Sequence, residues 1–257
     1  MLLLLTSCIL LEDEINDITD EIEGLTNPLV VQSAFLGVAE PDAGDDIDLS
    51  GTEFEKGSGI TVFLADAASI DEMDEAPVSG AGVKLRIGDT PIYDLIEAED
   101  DGRYTLTGED GLEYEATADA VLTIGISGSQ SSMSTVLPPP PDLDFEPQGS
   151  TGEALAINLA GTEYDQVLAV VIDGEGEVTW SNQPEDIRAW YEFANEEDGG
   201  QSFEIPGEAF KRDGAYLVGV AGLVRADDAS FENMNTALSS LLAGQILFQP
   251  YVTVTVP

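Results

Sequence analysis

Apolar residues in this chain recur at every second position, in short runs that glycine, proline and aspartate cut apart. That spacing belongs to β-strands with one buried face. Val83, Leu85 and Ile87 alternate with Lys84 and Arg86, which places the apolar side chains on one face and directs the charges to solvent. Ile60, Val62 and Leu64 form a second such face, and Leu122, Ile124 and Ile126 a third. Leu29-Val30-Val31, Tyr104-Thr105-Leu106 and the run from Ser132 to Val136 complete the first half. The second half predicts strands over residues 154–159, 167–172, 178–180, 190–193, 202–205, 216–223 and 251–256, with Asp173-Gly174-Glu175-Gly176 as the turn between two of them.

Between the halves stand Pro138, Pro139, Pro140 and Pro141, which cannot occupy a central strand and favour a stiff, extended spacer. The expected fold is therefore all-β, two antiparallel β-sandwich domains in tandem over residues 28–137 and 150–257, joined by a linker over 138–149. A chain of 257 residues is long enough for both. Residues 40–56 and 65–77 read as long acidic insertions in the first domain.

Asp and Glu number 51 against 8 Lys and Arg, a formal net charge of -43. The acid is spread along the chain and the strand periodicity persists through it, so the imbalance marks a folded protein with an acidic surface and not a disordered one. Such a surface suits high salt. At roughly 1 M the Debye length is about 3 Å and the mutual repulsion of the carboxylates is largely screened. Nucleic acid and anionic membrane would be repelled. The chain has no histidine, and its single cysteine is Cys8. Catalysis by Ser-His-Asp or Cys-His, zinc held by histidine, and disulfides within the chain are all excluded.

The chain opens Met1-Leu2-Leu3-Leu4-Leu5-Thr6-Ser7-Cys8. Leu5-Thr6-Ser7-Cys8 resembles the lipobox of bacterial envelope lipoproteins. That resemblance implies a truncated signal peptide over 1–7, lipid attachment at Cys8, and a position on the outer membrane or cell surface. The acidic stretch over 8–27 carries Leu11, Ile15, Ile18, Ile22 and Leu25 at alternating four- and three-residue steps. They predict a short amphipathic helix or tether.

Gly80-Ala81-Gly82-Val83-Lys84-Leu85, then Asp101-Gly102-Arg103-Tyr104-Thr105-Leu106, then Ala120-Val121-Leu122-Thr123-Ile124 resemble a transthyretin-like or carboxypeptidase-regulatory-like module. The second half is similar to a fibronectin type III or immunoglobulin-like sandwich. That resemblance implies a core role for Trp180 and a hydroxyl at Tyr216 tying a loop to the sheet. Ser230 is placed to cap a helix through Asn233, Met234, Leu238, Leu241 and Leu242 that stops at Gly244, a helical insertion in the second domain. Such an insertion either closes one end of the sandwich or offers Phe231, Met234, Leu238 and Leu241 to a partner.

The acidic clusters Asp42/Asp45/Asp46/Asp48, Asp71/Glu72/Asp74/Glu75, Glu97/Glu99/Asp100/Asp101 and Glu196/Glu197/Asp198 lack the EF-hand order, and read as solvated loops with no metal assigned. Two carboxylates alone could hydrolyse a glycoside, yet Trp180 and Trp190 read as core residues and not as sugar platforms. No catalytic residue and no cofactor is assigned. The expected function is non-enzymatic: a lipid-anchored envelope protein that binds a protein or glycan partner at the cell surface. The alternative is a structural component that associates with copies of itself, with a carboxylate-only glycoside hydrolase further behind.

Overall fold

A computed structural model describes residues 28–39, 57–89, 92–97, 99–160, 164–195, 202–226, 228–230 and 234–255. The protein is all-β, and its strands form three sheets. The small sheet of the first half holds β3 (Gly82–Ile87), β4 (Tyr93–Asp94), β7 (Asp119–Ile126), β8 (Ser129–Val136) and β16 (Asp228–Ser230). The small sheet of the second half holds β9 (Asp142–Asp144), β11 (Leu155–Ala160) and β14 (Ser202–Ile205).

The third sheet is long and belongs to both halves. Its strands are β1 (Leu29–Val38), β2 (Ser58–Asp66), β5 (Ile96–Glu97), β6 (Arg103–Thr107), β10 (Gln148–Ser150), β12 (Gln166–Asp173), β13 (Val178–Ser181), β15 (Gly214–Arg225) and β17 (Ser240–Val254). They run in the order β13-β12-β15-β17-β1-β2-β6-β5, with β10 alongside the far end of β17.

The strand that joins the halves is β17, whose 15 residues span about 50 Å at the usual rise. One edge pairs antiparallel with β15 along Leu242–Thr253. The other edge is divided: residues 240–246 pair parallel with Gln32–Val38 of β1, and 252–254 pair parallel with β10. The carbonyl of Ile246 and the N–H of Val252 both face this second edge. Pro250 shares their parity, so its missing N–H falls in the gap between β1 and β10, where the ladder needs no donor.

Alternation along the shared strands assigns the two faces. Leu241, Ala243 and Tyr251 lie on one face of β17, as do Tyr216, Val218 and Val220 of the paired β15. That face covers both small sheets. Over the first half it packs with Phe35, Val62, Leu85, Leu122 and Ile124, and over the second with Leu155, Ile157, Val171 and Phe210. Leu242, Ile246 and Phe248 point the opposite way, with Ala34, Val170, Ala221 and Leu223. Among the described residues one α-helix forms, α1 (Ile187–Asn195), and it covers part of this outer face through Trp190 and Ala194.

A buried polar seam fixes the β1–β17 register. Gln32 is fully buried, and its amide donates to the carbonyl of Leu238 at 2.5 Å while accepting from the Ser240 hydroxyl at 2.5 Å. Ser33 donates to the Ser240 carbonyl at 3.1 Å, and the Val31 N–H donates to the Ser239 hydroxyl at 3.0 Å. A slip of one residue would leave these buried groups without partners and exchange the two faces.

Several expectations are corrected. The helix predicted from Ser230 to Gly244 is absent: Ser230 lies in β16, and β17 begins at Ser240. Leu241 and Leu242 are buried on opposite faces, and a strand buried on both sides produces a continuous apolar run that periodicity cannot tell from a helix. The strand predicted at 190–193 is α1 instead. Asp186 caps it by accepting the Ala189 N–H at 2.7 Å, and Ile187, Trp190 and Ala194 form its buried stripe.

Trp180 lies half-buried on the edge strand β13, its ring 6.1 Å from that of Phe203. Lys84 is not turned to solvent; its side chain is 12% exposed and meets Asp94 of β4 at 3.6 Å. The segment 138–149 is no bare spacer, since it carries β9 and β10, buries Pro141, and receives the Tyr114 hydroxyl on the Pro138 carbonyl at 2.9 Å. The large sheet runs past it without a break. Tyr216 does tie a loop to the sheet, its hydroxyl donating to the Arg212 carbonyl at 3.0 Å.

Candidate functional site

The outer face of the long sheet carries a cleft of about 310 Å³ over β1, β2 and β6. The strand registers set its floor in cross-strand rows. Leu36 stands beside Gly59 and Thr107, Ala34 beside Thr61 and Thr105, and Phe63 beside Arg103. The centre is low because alanine, glycine and threonine occupy it. The nearest atom that a side chain at Gly59 would meet is the Leu106 carbonyl, at 3.7 Å. Trp190 and the strap Gln183-Pro184-Glu185 form one wall, with Ile246 at its foot.

The chemistry is graded across the cleft. On the α1 side the lining is apolar: Leu36, Ile246 and the edge of Trp190, a buried ring that meets Phe193 edge-on at 5.8 Å. On the β6 side it carries hydroxyls and a positive charge, from Thr61, Thr105, Thr107 and Arg103. The Arg103 guanidinium sits 5.6 Å from the centre of the Phe63 ring, a cation–π arrangement. It makes no ion pair among the described residues, whereas Lys84 and Arg188 each meet carboxylates. Oε1 of Gln183 is buried in the wall and accepts no hydrogen bond among the described residues.

The residues expected to bind a partner lie elsewhere. Met234 is buried beside Leu29, Leu241 is buried in the first-half core, and Leu238 is half-buried against Val30 and Met73. Met234 and Leu241 are core residues, and Leu238 is partly exposed. Phe231 and Cys8 lie outside the described residues, as do 1–27 and the acidic clusters at 42–48 and 196–198. The signal that could have found the cleft residues is alternation along β6, which places Arg103 and Thr105 on one face. What one sequence lacked was the pairing of β6 with β2 and the position of α1 over β1.

The remaining acidic clusters have structural occupations. Glu97 accepts the N–H of Gly80 at 2.7 Å and of Gly102 at 2.9 Å, and Glu72 accepts the N–H of Ala68. Asp173, Glu175 and Glu177 bring carboxylate oxygens within 4.8 Å of one another at the β12–β13 turn. Asp173 Oδ1 there accepts the N–H groups of Glu175 and Glu177 at 2.9 and 3.0 Å, the work of a turn-forming aspartate. The buried phenols are structural as well. Tyr104 donates to the Val78 carbonyl and accepts from the Ala81 N–H, and burial raises its pKa well above the usual phenol value.

No family model matches the chain, and no curated protein matches it. Among the described residues, no helix is long and apolar enough to cross a membrane.

Proposed function

We propose that this is a non-enzymatic, lipid-anchored envelope protein that holds a partner through the outer-face cleft. The observation that carries this reading is the cleft itself, a hollow of ligand-pocket size on the outer face of the long sheet. Its apolar side and its polar side offer packing and orientation together. A protein or glycan partner would seat one side chain or one sugar ring there. The tether is Cys8, which takes the lipid after cleavage of residues 1–7, and the acidic surface suits a salt-rich exterior.

Cross-linking on intact cells at native salt tests the reading. Wild-type protein is expected to link reproducibly to one foreign partner, and Thr61→Trp, which fills the cleft floor, is expected to lose that link. Links only between copies of the chain, or a partner retained by Thr61→Trp, refute it. Intact mass checks the anchor: an unmodified Met1 or a free thiol at Cys8 in native protein rejects the lipid.

A further inference from the structure

We propose that the cleft recognises an organic anion, a carboxylate or sulfonate carried on a flat apolar body, with the anionic group held by Arg103. The inference rests on the cleft being a binding site and goes on to the chemistry of what enters it.

Among the described residues Arg103 is the only cationic side chain lining the cleft, in a chain where acidic residues outnumber basic ones 51 to 8. On so acidic a surface an arginine is expected to meet a carboxylate. Asp101, two residues away, uses its Oδ1 on the backbone N–H of Arg103 and not on the guanidinium. The guanidinium is instead held over Phe63, at the rim of the floor. A cation fixed over an aromatic ring keeps its N–H edge free to donate, and that edge matches a planar oxyanion.

The opposite wall is apolar where Trp190 and Ile246 line it, and among the described residues it carries negative charge only at Glu185. An amphiphilic anion can therefore lie in one direction only, with its charge at β6 and its body toward α1. Gln183 Oε1 adds a free acceptor in the wall, which favours a body that also carries an N–H or O–H.

Two dyes with one body separate the charge from the cleft. Anilinonaphthalene sulfonate has a flat apolar body, an N–H and a sulfonate; phenylnaphthylamine has the same body without the sulfonate. Both are titrated by fluorescence against the full chain in roughly 1 M salt, where long-range repulsion is screened. Saturable binding of both is expected, and Thr61→Trp should abolish it. Arg103→Gln should weaken the sulfonate dye by at least about tenfold, the scale of a charged hydrogen bond, and leave the neutral dye unchanged. Arg103→Lys, which keeps the charge, should cost less than Arg103→Gln.

A sulfonate dye unaffected by Arg103→Gln, or both dyes weakened equally, overturns the anion while leaving the cleft as a binding site. If neither dye saturates, or both survive Thr61→Trp, the cleft reading falls with it.

Discussion

If one sheet serves both halves, a cavity cut into one half must weaken the other. Leu242 is the residue to cut. It is fully buried on the outer face of β17, beside Ala34 of β1 and near Ala221 and Leu223 of β15. Leu242→Ala removes its packing at a cost of about 2–5 kcal/mol. A domain is stable by about 5–15 kcal/mol, so the variant remains folded. Sheet β16-β8-β7-β3-β4 lies against the opposite face, where Leu122 and Ile124 of β7 cannot feel the lost side chain directly. Their amides nevertheless open only when the sheet beneath them opens. Hydrogen exchange read by mass spectrometry at roughly 1 M salt should show the slowest amides of β7 and of β12 losing protection by the same factor. A cost of about 3 kcal/mol corresponds to roughly two orders of magnitude. If β12 loses protection while β7 keeps it, the halves unfold independently and the shared sheet does not couple them.

Melting temperature should rise as salt increases from roughly 0.1 M to 1 M, because screening relieves the repulsion of a net charge of -43; a flat profile removes the salt-adapted reading. Tyr104→Phe strips the Val78 carbonyl and the Ala81 N–H of their partner and should cost about 1–3 kcal/mol in urea unfolding, whereas a neutral result would mean that water replaces the hydroxyl. Asp186→Ala removes the cap of α1 and should cost about 1 kcal/mol, measured the same way.

Asp213 accepts hydroxyls from Thr151 and Thr255, which lower its pKa below the ordinary 3.8. A depressed carboxylate contributes stability that is present above its unfolded pKa and lost as pH falls through the folded one. The stability difference between wild type and Asp213→Asn should therefore shrink below about pH 4, and a difference constant with pH refutes the assignment.

Strand alternation placed β2, β3, β6 and β11 to β15 to within a residue or two, because a strand with a buried face writes it into every second residue: Val83/Leu85/Ile87 and Ile60/Val62/Leu64 are buried as read. The reading failed where burial is two-sided or the partner is distant. Leu241-Leu242-Ala243 looked helical because both faces of β17 are covered. Trp190 looked like a strand residue because its neighbours Tyr191 and Phe193 are aromatic, although Asp186 before Ile187 was a legible cap. The parallel pairing of β1 with β17 joins residues more than 200 positions apart, and no local pattern encodes it. The prolines at 138–141 therefore looked like a boundary when they only mark where the chain passes from one small sheet to the other.

The same pairing explains why the cleft is where it is. Two sandwiches built on one sheet use its inner face twice, so no second sheet is left for the outer face. Among the described residues, α1, the strap before it and the turn at Ile70–Met73 cover part of that face. The helix rests on the seam, where Ala34, Leu242 and Ile246 are apolar enough to need a cover. Past the seam, the outer positions Gly59 and Thr61 of β2 and Thr105 and Thr107 of β6 can face water without a cover, and Arg103 lies over the ring of Phe63. A hollow then forms at the step between covered and uncovered sheet, apolar on one side and charged on the other. Its position follows from the topology. Its selectivity rests on Arg103, a residue the fold does not need: on an exposed outer position of β6, glutamine would serve the sheet equally well. A substitution there that changes binding and leaves the melting temperature alone would separate what the chain needs to fold from what it needs to work.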